Sequence, residues 1–136
     1  MADTKYGYLV KQLKYERVSG GGPGGRPEYM TMPRGVDLEG LNISFAHGFR
    51  SQLGEWGSDG GVKHAHPYNE TLLFAGLDYD NPNTLGAEID VSIGEEGETY
   101  TVNSPTVIAL PAGTPHGPLV TRKADKPFGF LAVSCD

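Results

Sequence analysis

From residue 41 onward, short runs of β-prone residues alternate with turn clusters. The runs fall at 41–45, 71–74, 87–93, 99–102, 106–110 and 128–133. In the clearest of them Ile89, Val91 and Ile93 share one face while Asp90 and Ser92 take the other, which is the two-residue period of a strand buried on one side. Between the runs lie turn formers: Asp80, Asn81, Pro82 and Asn83, then Gly94 to Gly97, Asn103 to Pro105 and Pro111 to Gly113. No stretch holds a sustained helical period. The pattern predicts an all-β fold, a sandwich or barrel with little helix.

The first 40 residues are harder to assign. Residues 6–18 carry Leu9, Leu13 and Val18 at spacings that suit a strand or a helix equally. Residues 19–27 hold five glycines and two prolines and read as a loop. A glycine-rich stretch can cradle phosphate, but that chemistry wants a preceding strand, a following helix and a Gly-Lys-Ser/Thr ending, none of which is present. The chain is therefore read as one domain over 1–136, an N-terminal strand or loop extension over 1–40 followed by a β-barrel over 41–136.

Composition supports one small core. The chain has 136 residues, 38% of them hydrophobic, and its 20 glycines and 10 prolines imply many turns. The net charge of −6 and the lack of a Lys/Arg run exclude the electrostatic footprint of a nucleic-acid binder, and an acidic surface repels anionic lipid. No stretch reaches about 18 apolar residues, so no membrane span is expected. With one cysteine, Cys135, no internal disulfide forms, and the N-terminus lacks the hydrophobic region of a signal peptide; a cytoplasmic location is the expectation.

The chemistry concentrates in two segments. His64 and His66, two apart on an extended segment, project from one face, and Glu70 four residues on can return to the same point. His116 follows Pro111 and Gly113, a turn that places it at the start of a strand 46 positions after Glu70. Three imidazoles and one carboxylate are the donor set of a divalent transition metal, and their spacing is unlike that of a cysteine-rich structural zinc site.

These two segments resemble the two motifs of the cupin superfamily. His64, His66 and Glu70 match a His-x-His, three or four residues, Glu element, and Pro111, Gly113 and His116 match Pro-x-Gly-x-x-His. The resemblance implies a single cupin-type jelly-roll β-barrel holding one metal, Fe, Mn, Ni or Zn, on His64, His66, Glu70 and His116. Three details differ from the pattern: Ser58 stands where a glycine is expected, the glycine closing the first motif is displaced to Gly76, and Val120 replaces an asparagine.

Such a donor set leaves coordination positions for a small-molecule substrate, so a metal-dependent enzyme is expected. The leading form is a dioxygenase-like oxidoreductase acting on an oxygen-bearing molecule. Its alternatives are a redox-neutral lyase or isomerase on a sugar or keto acid, and a non-catalytic binding module. Glu70 as a detachable base, His47 as an acid or base and Tyr68 are the candidate catalytic residues. Trp56, Phe74 and Phe128 are candidates for a cavity wall, and Arg50 and Arg122 for gripping an anion. Residues 78–83 look superficially like a calcium loop but lack its glycine and distal glutamate, and read as a turn; Glu95, Glu96 and Glu98 read as a solvated hairpin tip. A homodimer is expected from the resemblance.

Overall fold

The structure, a computed structural model, describes residues 4–19, 28–57 and 62–135. Ten strands form two antiparallel sheets. The larger has the order β1 (Glu16–Ser19), β2 (Glu28–Thr31), β3 (Ile43–Arg50), β10 (Phe128–Cys135), β5 (Asn69–Gly76), β8 (Thr106–Leu110). The smaller has the order β4 (Gly54–Glu55), β9 (His116–Ala124), β6 (Ala87–Ile93), β7 (Glu98–Val102). Helix is confined, among the described residues, to two 3₁₀ turns, Gly7–Leu9 and Gly35–Leu38.

Every β-prone run of the sequence is a strand here, and the sheets pack through the inward residues of each. Phe74 and Phe128 from the larger sheet and Ile89 and Val91 from the smaller are fully buried together with Leu85. Register makes this possible. β10 runs beside β3 and β5 with Phe130 opposite Gly48 and Phe74, so even-numbered residues of all three strands face the core.

The segment before residue 41 belongs to the same sheet. β2 pairs with β3 through Met30 opposite Gly48, and Met30 is buried in the core. Gly48 is needed there, because a Cβ on it would overlap the Met30 side chain and the Tyr29 carbonyl. The ambiguous stretch 6–18 resolves into a 3₁₀ turn, an extended run and β1. The glycine-rich loop assigned to 19–27 lies, from residue 20, outside the described residues, as do Ser58, Gly60 and Gly61.

The turns fall where turn chemistry put them. Asp78 accepts hydrogen bonds from the Asp80 N–H and the Asn81 side-chain amide, closing residues 78–81 as a turn. Gly94 and Gly97 take positive φ at the β6–β7 hairpin, whose tip carries Glu95 and Glu96. No helix among the described residues is long and apolar enough to cross a membrane.

Candidate metal centre and its cavity

Both motif segments are held by backbone pairing to each other. His64 and His116 form an isolated antiparallel bridge, with N–H···O distances of 2.9 and 2.8 Å. The turn at 111–114 docks on the first motif: the Gly113 N–H donates to the His66 carbonyl at 2.7 Å, and the Ala112 N–H donates to the Asn69 side-chain oxygen at 2.9 Å. Residues 43 to 52 apart in sequence are thereby locked together.

The consequence is a cluster of donors. One ring nitrogen each of His64, His66 and His116 lie within 4.8 Å of one another. Glu70, on β5, brings Oε1 to 3.2 Å from His116 Nε2 and 3.9 Å from His66 Nε2. The three imidazoles and the carboxylate that the sequence singled out are together at one place, and the three histidines can hold a metal ion.

The hydrogen bonds around the cluster are those of an oriented ligand set. His64 Nδ1 lies 2.8 Å from the Val62 carbonyl and His116 Nδ1 lies 2.9 Å from the Thr114 carbonyl. A carbonyl only accepts, so each Nδ1 carries the proton and each Nε2 keeps its lone pair. His116 Nε2 is buried 3.2 Å from Glu70 Oε1, and apart from that carboxylate it meets no hydrogen-bond partner. That arrangement costs free energy in a buried site and is relieved by a cation between them, so the residues fit a divalent metal.

Charge is distributed accordingly. Burial disfavours ionisation of Glu70, but the contacts with His116 and Ser134 outweigh it and hold its pKa below the ordinary carboxylate value. The Glu70 carboxylate raises the His116 pKa against the opposing effect of burial. Burial lowers that of His66, with the neighbouring imidazoles adding to the effect and Glu70 opposing it. Ser134 Oγ donates to Glu70 Oε2 at 3.1 Å, which leaves Oε1 to face the imidazoles.

A cavity of about 430 Å³ opens from this centre, between the two sheets. Trp56 and Phe130 form its floor, their rings 4.7 Å apart and nearly perpendicular, with Phe74 and Phe128 packed behind in the core. Trp56 therefore lines the cavity as expected, whereas Phe74 and Phe128 are core. Tyr68 also lines it, stacked on His66 at 4.7 Å with the planes 7° apart.

The two arginines separate. Arg50 lines the cavity, its guanidinium 4.0 Å from the Trp56 ring centroid and paired with Glu28 at 3.2 Å. Arg122 is exposed, pairs with Asp90 at 3.1 Å and is not part of the wall. His47 stands apart from the cluster. It sits between Ala46 and Gly48 on β3, on the face turned away from the cavity, where Tyr15 is bonded to its Nδ1 at 2.6 Å and Phe49 packs beside it. Strand alternation sends 46 and 50 inward and 47 outward, so His47 is not among the residues that line the cavity.

Sequence reasoning missed Ser134, Glu28, Asn69 and Gly117. Glu28 accepts the N–H groups of Ser51 and Gln52 at 2.8 and 3.0 Å as well as pairing with Arg50, and so shapes the end of β3. Gly117, at φ +100, follows the ligand His116 directly; a glycine before a proline there was a readable signal. Ser134, 64 residues from Glu70, left none.

No family model and no curated protein matches the chain. Solved structures do. The chain is similar to the oxalate decarboxylase of Bacillus subtilis, described by its Mn(II) centres, with 16% identity and a TM-score of 0.55 over 91% of this chain; it spans only 27% of that protein. A polyketide cyclase, RemF of Streptomyces resistomycificus, is 18% identical with a TM-score of 0.56, covering 99% of this chain and 79% of the other. An RmlC-like cupin of Shewanella frigidimarina is 14% identical with a TM-score of 0.54, covering 91% and 84%.

Proposed function

We propose that this chain, whose fold is that of the cupins, is an enzyme that uses one divalent metal on His64, His66, Glu70 and His116 to transform a small oxygen-bearing organic molecule. The observation that carries the reading is the buried Nε2 of His116, held by its Nδ1 bond to Thr114 and standing 3.2 Å from Glu70 Oε1. A metal there would supply Lewis acidity toward a substrate carbonyl or enolate, and with iron, manganese or nickel the capacity to activate oxygen.

The chain's own groups do the rest. His64 and His116, each pinned through Nδ1, fix the direction of their lone pairs. Ser134 holds one Glu70 oxygen, so the carboxylate would stay in place while its other oxygen served as a metal donor or as the base for a substrate proton. Tyr68, stacked on His66 at the cavity wall, would lie beside a substrate held at the metal.

The leading form remains a dioxygenase-like oxidoreductase. A redox-neutral reaction is the second reading, favoured by the likeness to a polyketide cyclase and an oxalate decarboxylase. A cytoplasmic homodimer completes the proposal, supported by the single exposed cysteine and by the apolar exposure of Leu73 and Val107 on the outer face of the larger sheet. Elemental analysis of protein purified without added metal, followed by turnover of carbonyl and enol substrates with and without O₂, tests it. One metal per chain with O₂-dependent turnover supports the oxygenase, anaerobic turnover the redox-neutral form, and absence of bound metal overturns both.

A further inference from the structure

The composition of the cavity wall narrows the substrate. Apart from the four candidate ligands, the only polar side chains lining it among the described residues are Arg50 and Tyr68. The remainder is hydrocarbon or aromatic, from Met30 and Leu72 on one sheet to Leu119 on the other. Trp56 contributes only its ring face, because its indole N–H is spent on Thr121 at 2.8 Å behind the wall. Even the exposed rim is apolar: Val18 and Met32 line the opening.

A polyhydroxylated molecule placed here would lose water from each hydroxyl and meet almost nothing to replace it, a penalty paid per group. Oxalate or another compact dianion would leave the Trp56–Phe130 floor uncovered and present two charges where one cation, Arg50, already faces Glu28. An apolar body with oxygens at one end meets neither difficulty. Its oxygens reach the metal, and its hydrocarbon part covers Trp56 and Phe130, whose rings meet nearly at right angles.

Resting on the metal-enzyme reading, we infer that the substrate is an apolar enol, phenol or 1,3-dicarbonyl compound, aromatic or polyketide-like in body, rather than a sugar or a small dicarboxylate. The sugar version of the redox-neutral reading is thereby set aside.

Three metal chelators that differ in the body they carry test this: benzoylacetone, gluconate and oxalate. Each is titrated calorimetrically into the full chain, once loaded with Zn²⁺ and once metal-free, while the fluorescence of Trp56, the one tryptophan, reports whether the cavity is filled. The expected result is at least tenfold tighter binding of benzoylacetone than of the other two, with Trp56 quenched. Val18→Ser with Met32→Ser, both at exposed positions, weakens that binding severalfold without loss of zinc. Equal or reversed affinities, or an unresponsive Trp56, overturn the inference. Zinc failing to load overturns the metal reading instead, and the preference for benzoylacetone over gluconate in the metal-free protein then still decides the nature of the wall.

Discussion

The carbonyl of Val62 lies against Gly117 where no Cβ fits, and that same oxygen accepts the Nδ1–H of His64. One close approach of two backbones thus joins the segments that carry His64 and His116, and its carbonyl orients the His64 ring.

Gly117→Ala adds a methyl group that collides with this carbonyl, at a φ of +100 that an alanine resists. The expected outcome is a loss of about 1–3 kcal/mol in stability together with at least a tenfold weaker metal site. Thermal unfolding and metal titration measure the two effects separately.

Ser134→Ala removes the hydrogen bond that turns Glu70, without touching a ligand. Losses of about 10–100-fold in metal affinity are typical for such partners. His116→Ala, by contrast, should abolish stoichiometric loading; a variant that still holds one metal per chain would show that His116 is no ligand.

His47→Phe tests the placement away from the cavity. With its ring on the outer face against Tyr15 and Phe49, the substitution should leave metal content and turnover at the level of the unaltered protein. Stability should fall by about 1 kcal/mol from the lost hydrogen bond. A large fall in kcat with metal intact would put His47 in the mechanism.

The pH dependence follows from Glu70 and His116. In the metal-free protein the carboxylate raises the His116 pKa, so NMR titration should place it above the ordinary value of about 6.5, and Glu70→Gln should bring it down. Because the folded pKa is the higher one, the stabilisation is complete below about 6.5 and fades as pH rises through the raised value. Metal binding has the opposite sign. It requires Nε2 without a proton, so affinity should climb over that same interval.

Glu28→Ala probes the support behind Arg50 in the cavity wall. It leaves the Arg50 guanidinium, with its side chain only 12% exposed, without this carboxylate and frees the N–H groups of Ser51 and Gln52. Removing one partner of a buried pair costs about 3–5 kcal/mol, and denaturant unfolding should find a loss near that range.

The sequence alone determined β3, β5, β6, β7, β8 and β10 and the residue types gathered at the candidate site, but not β1, β2 or β4. Alternation such as Ile89, Val91, Ile93 follows from the geometry of a single strand, and His64, His66, Glu70 and His116 declare their chemistry by type and spacing. The tertiary structure decided the rest. Periodicity says that His47 and Arg50 point to opposite sides of β3 but not which side is the cavity; the pairing of β3 with β2 and β10 settles that. Ser134 met Glu70, and Val62 met Gly117, only because strands far apart in sequence came into register, and contacts of that kind have no local pattern to betray them.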